Sequence, residues 1–161
     1  MAYTHVLVAS GGAPHSRKAE ERAVKLAKGL AAKLSLISVV RERPSPVSIG
    51  GAIGSGLDVG SVDAVALGTT AHSNRQQHQE RILTAAKERC EAHGLAPTTI
   101  MRMGNAAKAI VETAQEIEAD LIMVGSKQMS ILGALTRGST SDYVMRHAAC
   151  DVLIVHSGND S

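Results

Sequence analysis

Two glycine-bearing segments carry the residues best suited to chemistry in this 161-residue chain. They are Ala9-Ser10-Gly11-Gly12-Ala13 and the run from Gly125 through Gly138-Ser139-Thr140-Ser141. Glycine lets a backbone approach a phosphate with no Cβ in the way, and a helix N-terminus adds unpaired N–H donors and a favourable dipole. A phosphate resting on Gly138 to Ser141 is the chemistry this pattern allows. By spacing alone, a glycine turn with Ser139 or Thr140 as an ordinary helix N-cap accounts for the same residues.

Other chemistries find less support. Ser139, Asp142 and His147 have the types of a hydrolytic triad, but they fall within one short helical segment. There the spacing from 142 to 147 does not bring the acid and the imidazole to one face, and triads draw their members from separate elements. The seven histidines are scattered without a ligand pair such as HExxH. His147 beside Arg146 reads as charge at a helix C-terminus. Cys90 and Cys150 stand alone, outside any CxxC pair or disulfide framework, and are expected to be reduced and packed. No Walker A sequence occurs, and Gly54, Gly56 and Gly60 miss the dinucleotide fingerprint by one residue.

Composition narrows the classes further. A net charge of +2 gives no basic footprint, and Tyr3 and Tyr143 are the only aromatic residues besides histidine, so stacking platforms for single-stranded nucleic acid are missing. Nucleic acid is not an expected partner. Without Phe or Trp, the core must be built from Ala, Val, Leu, Ile and Met, which suits Ala-faced helices lying close on a sheet. No apolar run approaches the roughly 20 residues needed to span a bilayer, and the start of the chain lacks the pattern of a secretion signal. The expectation is one cytoplasmic domain over residues 1–156, with a tail at 157–161 and no membrane insertion.

The elements that must position these loops follow from the apolar pattern. Val6-Leu7-Val8 reads as a strand buried on both faces, and Ser16 as the N-cap of a helix marked by Ala19, Ala23, Leu26, Ala27 and Leu30. Leu34 to Val40 reads as a second strand. From 41 to about 73 the pattern dissolves into Pro44, Pro46 and a Gly-Ser-rich stretch, expected to be a flexible loop. A helix containing Ile82, Leu83, Ala86 and Cys90 then ends near Gly94, where a C-cap glycine belongs. Thr98 to Met103 reads as a strand, Ala106 to Ile117 as a helix, Asp120 to Val124 as a strand, Thr140 to His147 as a short helix and Val152 to Val155 as a last strand. This alternation predicts an α/β fold, an open five-stranded parallel sheet with helices on both faces. Ligands of such sheets bind at the carboxyl ends of the strands.

The chain resembles the universal stress protein family. The resemblance rests on Asp120-Leu-Ile-Met-Val-Gly-Ser126, on Gly138-Ser139, and on Arg146-His-Ala-Ala-Cys-Asp-Val-Leu-Ile-Val155. Val6-Leu7-Val8 before Gly12-Ala13-Pro14-His15-Ser16, and Gly104-Asn-Ala-Ala before Ile110, agree in the same order. It implies a Rossmann-like domain, of the adenine nucleotide alpha hydrolase-like type. The ligand it implies is ATP, ADP or AMP, with Mg²⁺ on the phosphates and at most slow ATP hydrolysis. Of the family's Gly-x2-Gly-x9-Gly-Ser/Thr signature, Gly125, Gly138 and Ser139 are present and Gln128 replaces the second glycine. Gly11 stands where ATP-binding members tend to have an aspartate. By resemblance, Val39 and Val124 line the base pocket, and Gly138, Ser139 and Ser141 hold phosphates, beside Ser10, Gly11, Gly12 and Thr140 of the two loops. The family's usual dimer pairs the last strand with its twofold mate, implying a homodimer through 151–156. The alternative reading is a dimeric stress-response interaction protein that binds no nucleotide.

Overall fold

The computed structural model describes residues 2–42, 61–126 and 140–157, with backbone alone described for 61–69. The elements are β1 (His5–Ala9), α1 (Pro14–Leu30), β2 (Lys33–Val40), α2 (Ser61–Ala92), β3 (Thr98–Met103), α3 (Ala106–Glu116), β4 (Leu121–Ser126), α4 (Thr140–His147) and β5 (Asp151–His156). The five strands form one parallel sheet in the order β3-β2-β1-β4-β5. The expected α/β fold is therefore what the chain adopts.

Alternation along β1 explains why the sheet is covered twice. Val6 and Val8 pack with α1 and α2 through Ala19, Ala23, Ala27, Leu83 and Ala86. Leu7 points the other way, into a cluster with Ile110, Val111 and Ala114 of α3 and Val144 of α4. All three residues of this strand are fully buried. Truncating Leu7 to Ala would cost about 2–5 kcal/mol by loss of transfer energy and the cavity left behind. The alanine stripe on α1, Ala19, Ala23 and Ala27, recurs every fourth residue, which lets the helix lie close on the sheet.

Two expectations about the helices need correction. Ser16 does not cap α1: the N-cap is Ala13, with Pro14 in the first turn and no side-chain cap bond. Proline's fixed φ is already helical and its missing N–H is one the first turn would leave unpaired, so the helix starts three residues early. The second correction concerns the loop expected over 41–73. Residues 61–73 are helical, because α2 begins at Ser61, directly after the last glycine of the Gly-Ser run. Residues 43–60 of that expected loop lie outside the described residues. At its other end α2 stops as expected, with Gly94 at φ +80° just beyond it.

The amino ends of the strands are tied by Asp120. Its Oδ2 accepts from Thr4 N at 2.7 Å and Thr4 Oγ1 at 2.8 Å, and its Oδ1 accepts from His5 N at 3.1 Å. Its own N–H donates back to His5 O at 3.0 Å. Burial pushes this carboxyl up, but the bonds from Thr4 and His5 outweigh burial and hold it below the ordinary aspartate value. On the covered face, Glu20 of α1 is buried and paired with Arg89 of α2 at 2.6 Å. No helix of the described residues is long and apolar enough to cross a membrane.

Candidate functional site

Strand order reverses between β1 and β4, and this is where the sheet opens. After β1 the chain turns to α1 on one face; α4, which follows β4 in the chain, packs on the other. Connections that leave in opposite directions part the carboxyl ends of the strands, and a crevice results. In this chain that crevice is a cleft of about 640 Å³, within the range of small-molecule sites.

Of the residues singled out from sequence, Ser10, Gly11, Val39, Val124, Gly125 and Thr140 all line the cleft. Gly12 and Ser141 do not line it. Gly12 turns at φ +78° against α2, where a Cβ would stand 2.8 Å from Ile82 Cδ1, and Ser141 is buried in the first turn of α4. Gln128, Gly138 and Ser139 lie outside the described residues. Of the three residue types considered for a triad, Asp142 is ion-paired to Arg146 at 3.3 Å. His147 hydrogen bonds through Nδ1 to the Tyr143 carbonyl at 2.9 Å, its ring stacked on the tyrosine.

The cleft has two kinds of wall. Ile37, Val39, Ile110 and Val124 make an apolar side, suited to the face of a base. The polar side includes residues that sequence reading missed: His15, Arg41, Arg75, His78 and Gln79. The last three come from α2, in the polar run from Asn74 to Glu80 that leads into Ile82 and has no apolar stripe to mark which face is turned to the sheet. Gln79 is anchored to the sheet, its Oε1 accepting from the buried Ser38 hydroxyl at 2.6 Å. Among the described residues, two polar atoms in the lining have no partner: Ser10 Oγ, on a residue only 1% exposed, and Arg75 Nε. Buried polar atoms are usually satisfied, and an unsatisfied pair in one cleft fits a site built for a polar ligand.

Gly125 serves a purpose beyond the ligand. A Cβ there would collide with the His15 carbonyl and stand 2.8 Å from Ser16 N, so only glycine lets the end of β4 lie against the first turn of α1.

The sequence profile of the universal stress protein family matches residues 2–156. This chain belongs to that family. A relative from Staphylococcus aureus strain USA300 is 27% identical over 158 residues, covering 96% of this chain and 85% of the relative. Among solved structures, a universal stress protein family member from Burkholderia pseudomallei superposes with a TM-score of 0.69 at 24% identity, over 96% of each chain. A universal stress protein solved in complex with cAMP gives a TM-score of 0.65 at 27% identity, covering 98% of this chain and all of the other. The superposition shows that this chain shares its fold with these structures.

Proposed function

We propose that this chain is a cytoplasmic nucleotide-binding regulatory module of the stress response, taking an adenine nucleotide in the crevice between β1 and β4. The observation that carries this reading is the cleft's division into an apolar wall, Ile37, Val39, Ile110 and Val124, and a polar side that runs to Gly125 and Thr140 at the start of α4. A base needs the first and phosphates need the second. The relative that binds cAMP supports the choice of adenine.

In this reading Val39 and Val124 hold the base, while Ser10 and Gly11 flank the ribose and Gly12 turns their loop against α2. Gly125, Gln128, Gly138, Ser139 and Thr140 follow the phosphates toward α4, whose N-terminus offers N–H donors. Mg²⁺ finds no carboxylate among the described lining residues, so phosphate oxygens and water would hold it. Calorimetric titration of the nucleotide-stripped protein with ATP, ADP and AMP, each with and without Mg²⁺, tests the proposal. Binding in the micromolar range by any of them supports it, and no heat with no change in melting temperature at millimolar nucleotide refutes it.

A second reading, an interaction protein acting as a dimer, is favoured by one observation. Among the described residues β5 is an edge strand hydrogen-bonded only to β4, and it leaves Leu153 41% exposed. An open edge of this kind is usually covered, and antiparallel pairing of 151–156 with a second copy would cover it. Sedimentation as a monomer at micromolar concentration would rule this pairing out. This second reading has no nucleotide in the crevice, although the β5 contact by itself is compatible with one, since β5 lies beyond β4.

A further inference from the structure

The crevice has cationic groups where a simple nucleoside needs none. α2 lies along its Gly11–Gly12 side: Ile82 is the residue a Cβ on Gly12 would strike, and Gln79 bonds Ser38 of β2. Arg75 and His78 precede Ile82 on the same helix, Arg75 by about two turns and His78 by about one, and both line the cleft. They are therefore on the side of β1 and β2, whereas Gly125 and Thr140 are on the side of β4 and α4. One anion at the α4 N-terminus would satisfy the second side and leave the first unmatched.

Three observations describe that first side. Among the described lining residues there is no carboxylate, while Arg75 and His78 of α2 are both present. Arg75 makes no ion pair among the described residues, and its buried Nε is without a partner. Ser10 Oγ is likewise buried and unpartnered. In doubly wound folds a carboxylate at the ribose end reads the ribose hydroxyls, whereas an arginine there accommodates a ribose phosphate. Gly11 brings no side chain of its own to this end.

We propose that the α2 side is a second anion subsite, with Arg75 as its principal ligand and His78 and Ser10 beside it. The preferred ligand is then an adenine nucleotide phosphorylated on the ribose ring as well as at the 5′ position. This rests on the nucleotide reading above and adds to it the class of nucleotide. Arg75's planar fork of donors matches a phosphoryl group better than it matches hydroxyls.

The test is a calorimetric comparison of adenosine 3′,5′-bisphosphate, adenosine 2′,5′-bisphosphate, AMP and ADP, against the wild-type chain and Arg75→Gln. ADP controls for a second phosphoryl group placed elsewhere. One of the bisphosphates is expected to bind at least ten-fold more tightly than AMP and more tightly than ADP, and Arg75→Gln to remove that gain while changing AMP affinity less than two-fold. Which bisphosphate wins shows which ribose oxygen faces Arg75. Should AMP bind and neither bisphosphate improve on it, or should Arg75→Gln weaken AMP as much as the bisphosphate, the second subsite is wrong and the nucleotide reading survives. Should none of the four bind, both fail. His78→Gln provides an independent variant, expected to lower bisphosphate affinity by a smaller factor in the same direction, and a melting curve for each variant confirms that it is folded.

Discussion

Gly125 packs against His15 so closely that any side chain at position 125 would overlap the histidine's carbonyl group. The contact joins the end of β4 to the first turn of α1, and both line the crevice. It is a backbone-to-backbone contact, which cannot be relieved by turning a side chain away.

Gly125→Ala should therefore destabilise the fold by about 1–3 kcal/mol, in the range of overpacked sites, and also widen the crevice by pushing α1 outward. Chemical denaturation would show the first effect as a lower midpoint with an unchanged slope. A variant as stable as the wild type would mean that α1 moves freely at this end.

The amino ends of the strands give a pH dependence. The folded Asp120 carboxyl lies below its ordinary value because Thr4 and His5 donate to it, against the effect of burial. A depressed folded value contributes stability that is fully present above the unfolded value, about 3.9, and is lost as pH falls through the folded one. Asp120→Asn should cost about 1–2 kcal/mol at pH 7, and the gap to wild type should narrow by pH 3. Urea denaturation at the two pH values measures it; a gap that stays constant would show that the Asp120 charge does not matter.

Glu20 and Arg89 are coupled across α1 and α2, the acid buried and the guanidinium partly exposed. Arg89→Ala leaves a buried carboxylate without its counter-ion, and the expected loss is about 1–3 kcal/mol, below the figure for a fully buried pair because water reaches Arg89. Adding Glu20→Gln should recover part of that loss. A double-mutant cycle with strictly additive losses would mean that the pair contributes nothing.

Cys90 lies in the same core cluster. Burial first, then the neighbouring Glu20 charge, push its thiol up to about 11 although Arg89 acts the other way. The thiolate is the reactive form, so Cys150→Ser protein should label negligibly with a disulfide reagent at pH 7.5 until denaturant is added. Rapid stoichiometric labelling without denaturant would contradict the packing described for α2.

Much of this was legible in the sequence, and the exceptions have physical causes. The short apolar runs Val6-Leu7-Val8 and Leu121 to Val124 announce strands buried on both faces, because nothing polar interrupts them. The alanines of α1 announce a close-packed helix. The beginning of α2 was hidden because Gly-Ser composition is a strong local signal, and the turns that follow it have no clear apolar stripe. Arg75, His78 and Gln79 were lost with it, since their meaning depends on which way that helix faces. Gly125 was read for its tolerance of a phosphate, but its approach to His15 joins residues far apart in the chain, and no local pattern encodes such a contact.

The measurement that most directly tests the nucleotide crevice is amide hydrogen exchange of the whole chain with and without saturating AMP. Slowed exchange is predicted at Ser10 to Gly12, at Val39 to Arg41 and at Val124 to Gly125, with the amino ends of the strands around Thr4 and Asp120 unchanged. Protection confined to another surface, or none at a concentration where calorimetry shows binding, would contradict the placement of the nucleotide between β1 and β4.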